Sequence, residues 1–600
     1  GHPALLAAAL ATAFLVVLAV TFRLVDTDFW EHLAVGRAMW ATHAIPRVNL
    51  WTWPTYGQPL VLPSWGFRAL LWPCYALGGV GGLFVWRWLT TLAAFAIAWA
   101  AARRMGATGF TPLVVIVACV LVYRERSQVR PETLVAILIA VEIWLLESRR
   151  HPRPATAGEG AARAARDPAP WLVLVAWVWA NVHISYWLGL ALIAIHWAVA
   201  RSSRRGAGGA AAAPLAAALA GAVLVSFLNP FGWRALSQPF EYFFVWRHEL
   251  VYRTIDELRP IDWSTQLASG LPLVVAGWPA LALWRARRHG ADLAELGTAA
   301  LFLALALTSQ RFTGPLAVAA APYLARDLEA WVRARRWPPW TTPAWHRAAL
   351  AVAAGAALVP VGWRHSDLRP GIGIAPEFPP AAACDFVAAH GVRGRAFNAF
   401  ELGGYLLWRF WPDRTRLPFM DIHQTGTRED RRDIAGAMFD ERVWRALDAR
   451  HRFDWALLKR LHSPQDFTID HLEADSAWVL VFADDAAALF VRRDGPLAAV
   501  ADSFGYALAP AGAQRRDRLA AACFDDAALR ARAESELARM AASSRYDSGA
   551  LSLLASLLML DGRWADARRA LEGARAVNPR LPVYEERMRV IADSLAARGG

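Results

Sequence analysis

Charge is scarce in this chain. Only 19% of its 600 residues are Asp, Glu, Lys or Arg, against 56% hydrophobic, which excludes an ordinary soluble protein and points to a polytopic membrane protein. Cysteine is scarcer still, at four residues. Cys74 and Cys119 fall in apolar runs, Cys384 and Cys523 lie far apart in the polar C-terminal third, and no zinc or redox spacing links them. Tryptophan, by contrast, is abundant at 31, which suits the membrane-water interface or a large aromatic core. The formal charge of +13 would fit a nucleic-acid binder, but much of the basic excess sits in tight arginine clusters between apolar runs. That assigns it to topology, and no nucleic-acid partner is expected.

Residues 4–22 come close to the ~20 apolar positions a helix needs to cross a bilayer and exceed a leader-peptide core, so they are expected to be a retained first span. Further runs lie near 83–101, 110–123, 131–147, 171–182, 184–200, 212–228, 267–284, 293–309, 312–325 and 345–363, eleven with the first. A shorter run at 64–79, interrupted by Arg68 and Pro73, is expected to lie in the interface or to re-enter. With that threading, five clusters fall on the cytoplasmic side together with the N-terminus. They are Arg103 and Arg104; Arg149, Arg150 and Arg153; Arg201, Arg204 and Arg205; Arg285, Arg287 and Arg288; and Arg333, Arg335 and Arg336. If 64–79 crossed, all five would face the wrong side.

The remaining loops then share the outer face, and they hold the chain's densest mixed polar residues. The first is "RLVDTDFWEHLAVGRAMW" at 23–40. On a helix starting at Asp28, the residues Asp28, Glu31 and His32 share one face, while Phe29, Trp30, Leu33 and Trp40 can face lipid. This reads either as an amphipathic juxtamembrane helix with Asp28 as its N-cap, or as a site in which Asp26 and Asp28 hold a divalent metal or one of them acts as a general base. Arg124, Arg126 and Arg130 break the arginine-inside pattern. They either pair with Glu125 and Glu132 or form a guanidinium fork for phosphate, and the fork is preferred because these arginines outnumber their local acids. Asn181 and His183 sit at the tip of a tight hairpin, as structural residues or as part of a substrate loop. The long outer loop 229–263 carries Glu241, Arg247, His248 and Arg253 among its charges, as surface pairs or as a substrate-binding lid. Arg311, at a span end, is a second phosphate contact or a snorkelling anchor.

A first span, an acidic outer loop of the form "DTDFWEHLAVGRAMW...IPRVNLWTWPTYGQPLVLPSW", arginine-bearing short outer loops and a C-terminal outer domain together resemble the GT-C superfamily of polytopic glycosyltransferases. The similarity is to bacterial members related to the protein mannosyltransferases and lipid A aminoarabinose transferases, and it covers roughly residues 1–363. It implies an inverting transfer of sugar from a polyprenyl-phosphate carrier to an unidentified acceptor outside the cytoplasmic membrane. It also implies a key acid just after the first span, which maps onto Asp28 or else Asp26. Relatives with Asp-Glu there differ from this chain, where Phe29 follows Asp28, so Glu31 or His32 would supply a second group. Arg124, Arg126, Arg130 and Arg311 would neutralise the leaving phosphate. A monophosphate carrier requires no metal or other cofactor, although Asp26 and Asp28 could hold a divalent ion.

The expected fold is therefore mainly α, with about eleven transmembrane helices over 1–363 including a first outer loop at 23–63. A small extracytoplasmic α/β domain follows at 364–505 and a helical region at 506–600. In the α/β domain "WVLVFADDAAALFVRR" reads as a hairpin, and Asp421 with His423 as a strand-end turn in preference to a catalytic pair. Residues 550–580, with Gly562 at the turn, Ala567 and Ala574 in the second helix and Asn578-Pro579 as a stop, look like a tetratricopeptide repeat, which implies a protein partner. The alternative function is a non-catalytic scaffold of the same fold that recruits partners through that repeat. A transporter is disfavoured, because the charges gather at one face and not at the bilayer midplane.

Overall fold

The apolar runs fold as helices. The structure is a computed structural model that describes residues 2–152, 167–202, 208–253, 255–266, 269–364, 368–375, 379–423, 427–460, 467–579 and 581–598; Arg153, Arg204 and Arg205 lie outside the described residues. In chain order the helices are α1 (Pro3–Ala19), α2 (Asp28–Thr42), α3 (Trp65–Arg104), α4 (Thr111–Tyr123), α5 (Glu132–Arg150), α6 (Ala169–Val182), α7 (Trp187–Ser202), α8 (Gly208–Ser226), α9 (Trp233–Phe244), α10 (Leu250–Arg253), α11 (Trp263–Gln266), α12 (Leu271–His289), α13 (Leu293–Thr308), α14 (Thr313–Arg333) and α15 (Ala344–Arg364). Beyond them come α16 (Ala381–Ala389), α17 (Phe400–Phe410), α18 (Arg428–Ala437), α19 (Glu441–His451), α20 (Thr468–Ala474), α21 (Ala498–Phe504), α22 (Ala513–Asp525), α23 (Ala527–Ser543), α24 (Ser548–Leu560), α25 (Trp564–Val577) and α26 (Pro582–Arg598).

The chain divides into two units. The first comprises residues 1–26, 35–47 and 60–374, and the second 27–34, 48–59 and 375–600. Parts of the first outer loop thus belong with the C-terminal residues.

The first unit is the membrane unit. Among the described residues, Trp65–Arg104, Ile184–Ser202 and Ala344–Arg364 are long and apolar enough to cross a bilayer, while Pro3–Ala19, Ala169–Val182, Ala212–Ser226 and Leu293–Thr308 are apolar but shorter. α5 and α14 have the length but carry Glu142 and Glu147, and Arg326, Asp327 and Glu329. α14 is buried almost throughout, and its Ala317, Ala319, Ala320 and Ala321 let α3, α4, α5 and α12 pack against it closely. α3 is two helices. At Gly79 the backbone takes φ 54°, a conformation that costs glycine no Cβ clash, and a Cβ on Gly82 would collide with the Cys74 carbonyl. Residues eight apart on a straight helix are separated by about 12 Å, so the chain reverses sharply here and residues 65–78 form a separate arm.

At one end of this unit arginines from four of the clusters meet. Arg104 Nε donates to Ser148 Oγ (3.3 Å) and Arg333 donates to Thr108 (2.8 Å). Arg150 pairs with Asp292 (2.6 Å) and Glu147 (2.7 Å), and Arg285 lies 3.6 Å from Asp327. Buried Arg326 is held by Asp292 (3.0 Å), Asp327 (2.7 Å) and Glu295. Asp292 precedes α13 and caps it; burial pushes its carboxyl up, but Arg150 and Arg326 pull it down to about 2.

The second unit is built on a four-stranded sheet, β1 (Ala396–Asn398), β2 (Trp455–Lys459), β3 (Trp478–Ala483) and β4 (Ala487–Arg492), in the order β1-β2-β4-β3. β1 runs parallel to β2 (Ala396 opposite Trp455) after a helical crossover, and β2 and β3 flank β4 antiparallel (Trp455 opposite Val491, Trp478 opposite Arg492). The β3–β4 hairpin turns on Asp484, whose Oδ1 accepts from the amides of Ala486 and Ala487. Leu480 and Phe490 of the sheet share one core with Leu519, Leu537, Met540 and Leu557, so residues 364–505 and 506–600 are not separate hydrophobic bodies. α24 and α25 form a helical hairpin with Gly562 at the turn and Ala567 and Ala574 buried.

Candidate functional site

At the end of the membrane unit opposite the arginine clusters lies a second network of charges. The two ends are joined by α5. Glu132 opens it and Arg150 closes it, about 27 Å apart at 1.5 Å per residue, close to the ~30 Å of a bilayer's hydrocarbon core. Before α5, α4 runs into a 3-10 turn (Arg124–Ser127) and then Pro131, a connection too short to carry its arginines away from the helix ends. Arg130 Nη2 donates to Asp26 Oδ1 (3.0 Å), and its Nε donates to Asp26 Oδ2. Arg130 Nη1 and Arg126 Nη1 both donate to one oxygen, Glu257 Oε2, each at 2.6 Å. Arg311 donates to Glu132 (2.9 Å), and His183 Nε2 faces the same Glu132 oxygen at 3.8 Å.

Asp26 is deep, with 2% of its side chain accessible, whereas Arg130 and Glu257 keep 23% and 22%. Burial pushes the Glu257 carboxyl up, but Arg130, Arg126 and Arg311 together hold it well below the usual carboxylate range. Two guanidinium charges a few ångströms apart repel by roughly 4 kcal/mol at an effective dielectric of 20, so Arg126 and Arg130 converge only around an anion. Such an arrangement can hold a phosphate oxygen.

Arg87, fully buried in the second part of α3, sets the frame. It donates to the carbonyls of Phe22 (2.7 Å), Val20 (3.3 Å) and Ser127 (3.0 Å) and to Gln128 Oε1 (3.2 Å). It thereby ties the segment leading to Asp26 to the turn leading to Arg130. The sequence reading missed Arg87, and it named Glu257 among the charges of the long loop without choosing it as a site residue. Arg87 sits in an apolar run where a charge costs several kcal/mol unless it is satisfied, and that cost was the available signal. Glu257 was one charge among many in a long loop, and only the need for a counter-ion beside Arg126 and Arg130 pointed to it.

Several expected residues lie elsewhere. Arg124 points away from the network. It donates to the Gly362 carbonyl (3.1 Å) and stacks over Trp363 at 4.8 Å, because α15 ends beside α4. The argument that the arginines outnumber their acids also fails, since Glu257 comes from the long loop and Glu132 pairs with Arg311. Asn181 is a structural tie, accepting from Trp65 Nε1 (3.0 Å) and donating to the carbonyls of Trp177 (2.9 Å) and Leu228 (3.2 Å). His183 caps its turn by accepting from the Ser185 amide at Nδ1 (3.0 Å), which leaves Nε2 facing Glu132. In the long loop, Ser237 donates to Glu241 (2.6 Å), Arg247 lies next to His248 (3.3 Å) and over Phe243, and the Arg253 carbonyl accepts from Arg259. These are local pairs outside the network.

Asp28, Glu31 and His32 fall in the second unit. Asp28 is partly exposed at the start of α2. Glu31 and His32 are buried, with His32 Nδ1 at 2.7 Å from Glu31 Oε2. Glu31 Oε1 lies 2.7 Å from His423 Nε2, and His423 Nδ1 lies 2.8 Å from Asp421 Oδ2. Residues 417–423 are irregular chain and not a strand. Asn398 at the end of β1 fixes them by accepting from the Phe419 amide (2.8 Å) and donating to the Met420 carbonyl (2.7 Å). Gly404 allows the approach of α2, since a Cβ there would press on Glu31 Cβ at 3.1 Å. Burial lowers the affinity of His423 for its proton, but Asp421 and Glu31 raise it to about 9, so the ring is an imidazolium between two carboxylates at neutral pH. Phe29, Trp30 and Leu33, expected against lipid, are buried; Trp30 packs on Tyr405 (5.0 Å) and Trp408 (5.5 Å). Trp40 remains half exposed.

Among the described residues, no group of three or more His, Cys, Asp or Glu side chains is arranged to hold a metal ion. Both Asp26 oxygens accept from Arg130.

No protein-family model and no curated protein sequence matches the chain. Among solved structures, the Archaeoglobus fulgidus oligosaccharyltransferase in complex with zinc and sulfate aligns over 82% of this chain and 73% of its own, at 11% identity and a TM-score of 0.51. Its apo form aligns over 76% and 69% at 12% identity, with a TM-score of 0.49. ArnT from Cupriavidus metallidurans bound to undecaprenyl phosphate aligns over 81% and 97% at 14% identity, with a TM-score of 0.47.

Proposed function

The chain has the fold of the GT-C superfamily of polytopic membrane glycosyltransferases, and on that premise we propose that it moves a sugar from a polyprenyl-phosphate donor to an acceptor on the extracytoplasmic side of a bacterial cytoplasmic membrane. The observation that carries the reading is the outer-end network. Arg126 and Arg130 share one carboxylate oxygen, Arg311 stands beside them on Glu132, and Asp26 backs Arg130. The topology that goes with it has eleven spans, with the N-terminus and arginine clusters inside and the C-terminal unit outside. Its support is the gathering of those clusters at the opposite end of the same helices.

In the proposed reaction the acceptor attacks the anomeric carbon, the bond from that carbon to the phosphate oxygen breaks, and the acceptor's proton passes to a carboxylate. Arg126, Arg130 and Arg311 take the charge that grows on the leaving phosphate. Asp26 is the acid within the network and is the carboxylate proposed to accept the proton. Asp28 is the rival base on the resemblance alone. Glu31 and His32, with His423 and Asp421, position α2. His183 orients Glu132.

A second reading is a non-catalytic scaffold, favoured by one observation: Arg126, Arg130 and Arg311 each already have a carboxylate partner. The helical hairpin α24–α25, as a tetratricopeptide-like unit, would then be the working part. The discriminating experiment incubates purified protein in nanodiscs with polyprenyl-phosphate-linked sugars and follows release of polyprenyl phosphate. An enzyme turns over and Asp26→Asn is slowed at least a hundredfold; a scaffold releases none with any donor of the panel.

A further inference from the structure

Three acids serve the outer network, and they differ in how firmly they are held. Asp26 has 2% of its side chain accessible and takes two bonds from Arg130. Glu132 has 13% and is fixed at the start of α5. Glu257 has 22% and sits in a three-residue turn, Asp256–Leu258, within a long loop. Its backbone is seated independently, since Ser309 Oγ donates to the Glu257 carbonyl (3.1 Å) and the neighbouring Arg259 carbonyl accepts from the Gln310 amide (2.9 Å). Its side chain can therefore rotate off the arginines while the loop stays docked. The other two acids cannot leave without moving a helix end or uncovering a buried group.

We infer that Glu257 is an exchangeable stand-in for the donor's phosphate, occupying the Arg126 and Arg130 seat until a lipid phosphate displaces it and returning to it when the product leaves. The inference rests on the reading of this network as a phosphate seat. An oxygen shared by two guanidinium groups is how arginines hold a phosphate oxygen. The charge count agrees. Exchange of the Glu257 carboxylate for a singly charged phosphodiester leaves the net charge of the network unchanged. After transfer the phosphate monoester carries more charge than the diester, and the returning carboxylate competes with it for the same nitrogens.

The test uses the full chain in detergent with undecaprenyl phosphate as probe and inorganic phosphate in a parallel arm. Glu257→Gln keeps the shape and removes the charge, and it should bind undecaprenyl phosphate about tenfold more tightly than the wild type. Equal or weaker binding by the variant overturns the exchange and leaves the phosphate seat standing. Binding by neither protein overturns the seat itself. If inorganic phosphate competes as well as the lipid does, the seat recognises phosphate without its carrier, and the assignment to a lipid phosphate fails. A second measurement needs no variant. Carbodiimide labelling of wild-type Glu257, read by mass spectrometry, should rise severalfold when undecaprenyl phosphate is added, and an unchanged yield contradicts the exchange.

Discussion

Arg130 holds Asp26 with two of its guanidinium nitrogens and gives the third to Glu257, whose same oxygen accepts from Arg126. One planar cation thus joins the acid that follows α1 to the loop that precedes α12. Lysine carries the charge but offers no fork. Arg130→Lys is expected to lower kcat for release of polyprenyl phosphate by about 10²–10³, with a thermal midpoint close to the wild type, measured on nanodisc-reconstituted protein. An intact kcat would remove Arg130 from the reaction.

The two aspartates separate by substitution. Asp26→Asn leaves the Arg130 fork with a neutral partner and is expected to abolish most turnover. Asp28→Asn is expected to cost less than tenfold if Asp26 is the base. Initial rates at saturating donor decide between them, and the reverse order would assign the base to Asp28.

His423 makes a pH-dependent contribution to the second unit. Its folded value of about 9 lies above the ordinary ~6.5 of an unfolded histidine. Its stabilisation is therefore complete below the unfolded value and is lost as pH rises through about 9. The wild type should lose thermal stability between pH 7 and 10. His423→Gln should be several degrees lower at pH 7 and should lack that part of the decline. Parallel melting curves for the two proteins across this range would show that the imidazolium is not the tie.

At the end where the arginine clusters meet, Arg326 is nearly buried among Asp292, Glu295 and Asp327. Removing one member of a buried charge cluster costs about 3–5 kcal/mol, because its partners stay behind uncompensated. Arg326→Met is expected to shift the denaturation midpoint in detergent accordingly. The protein that does fold should keep its turnover, since Arg326 takes no part in the outer network.

The helices were legible because a membrane span is written as a run of apolar residues, and each long run from 83–101 to 345–363 became a helix. The β3–β4 hairpin was legible for a similar reason, with two apolar stretches separated by Asp484 and Asp485. The partners of the charges were not. Arg126 and Arg130 meet Glu257 across a separation of more than a hundred residues, and nothing in a local pattern encodes such a pairing. Local reading offered Glu125 and Glu132 in its place. Asp421 and His423, expected as a strand-end turn, do form a turn in which Asp421 accepts from the His423 amide, but no strand precedes it. Their bond to Glu31 depends on α2 packing on α17, which the sequence separates by nearly four hundred positions. Phe29 and Trp30 were misassigned to lipid because an apolar side chain reads the same whether it meets lipid or protein.

The central claim is that Arg126 and Arg130 receive the phosphate of a lipid-linked sugar. It is tested most directly by binding of undecaprenyl phosphate to the wild type and to an Arg126→Gln, Arg130→Gln double variant, both in nanodiscs and both checked for the same fold by circular dichroism. The account predicts saturable binding by the wild type and a loss of at least a hundredfold in the double variant. Equal affinity in the two proteins would contradict it.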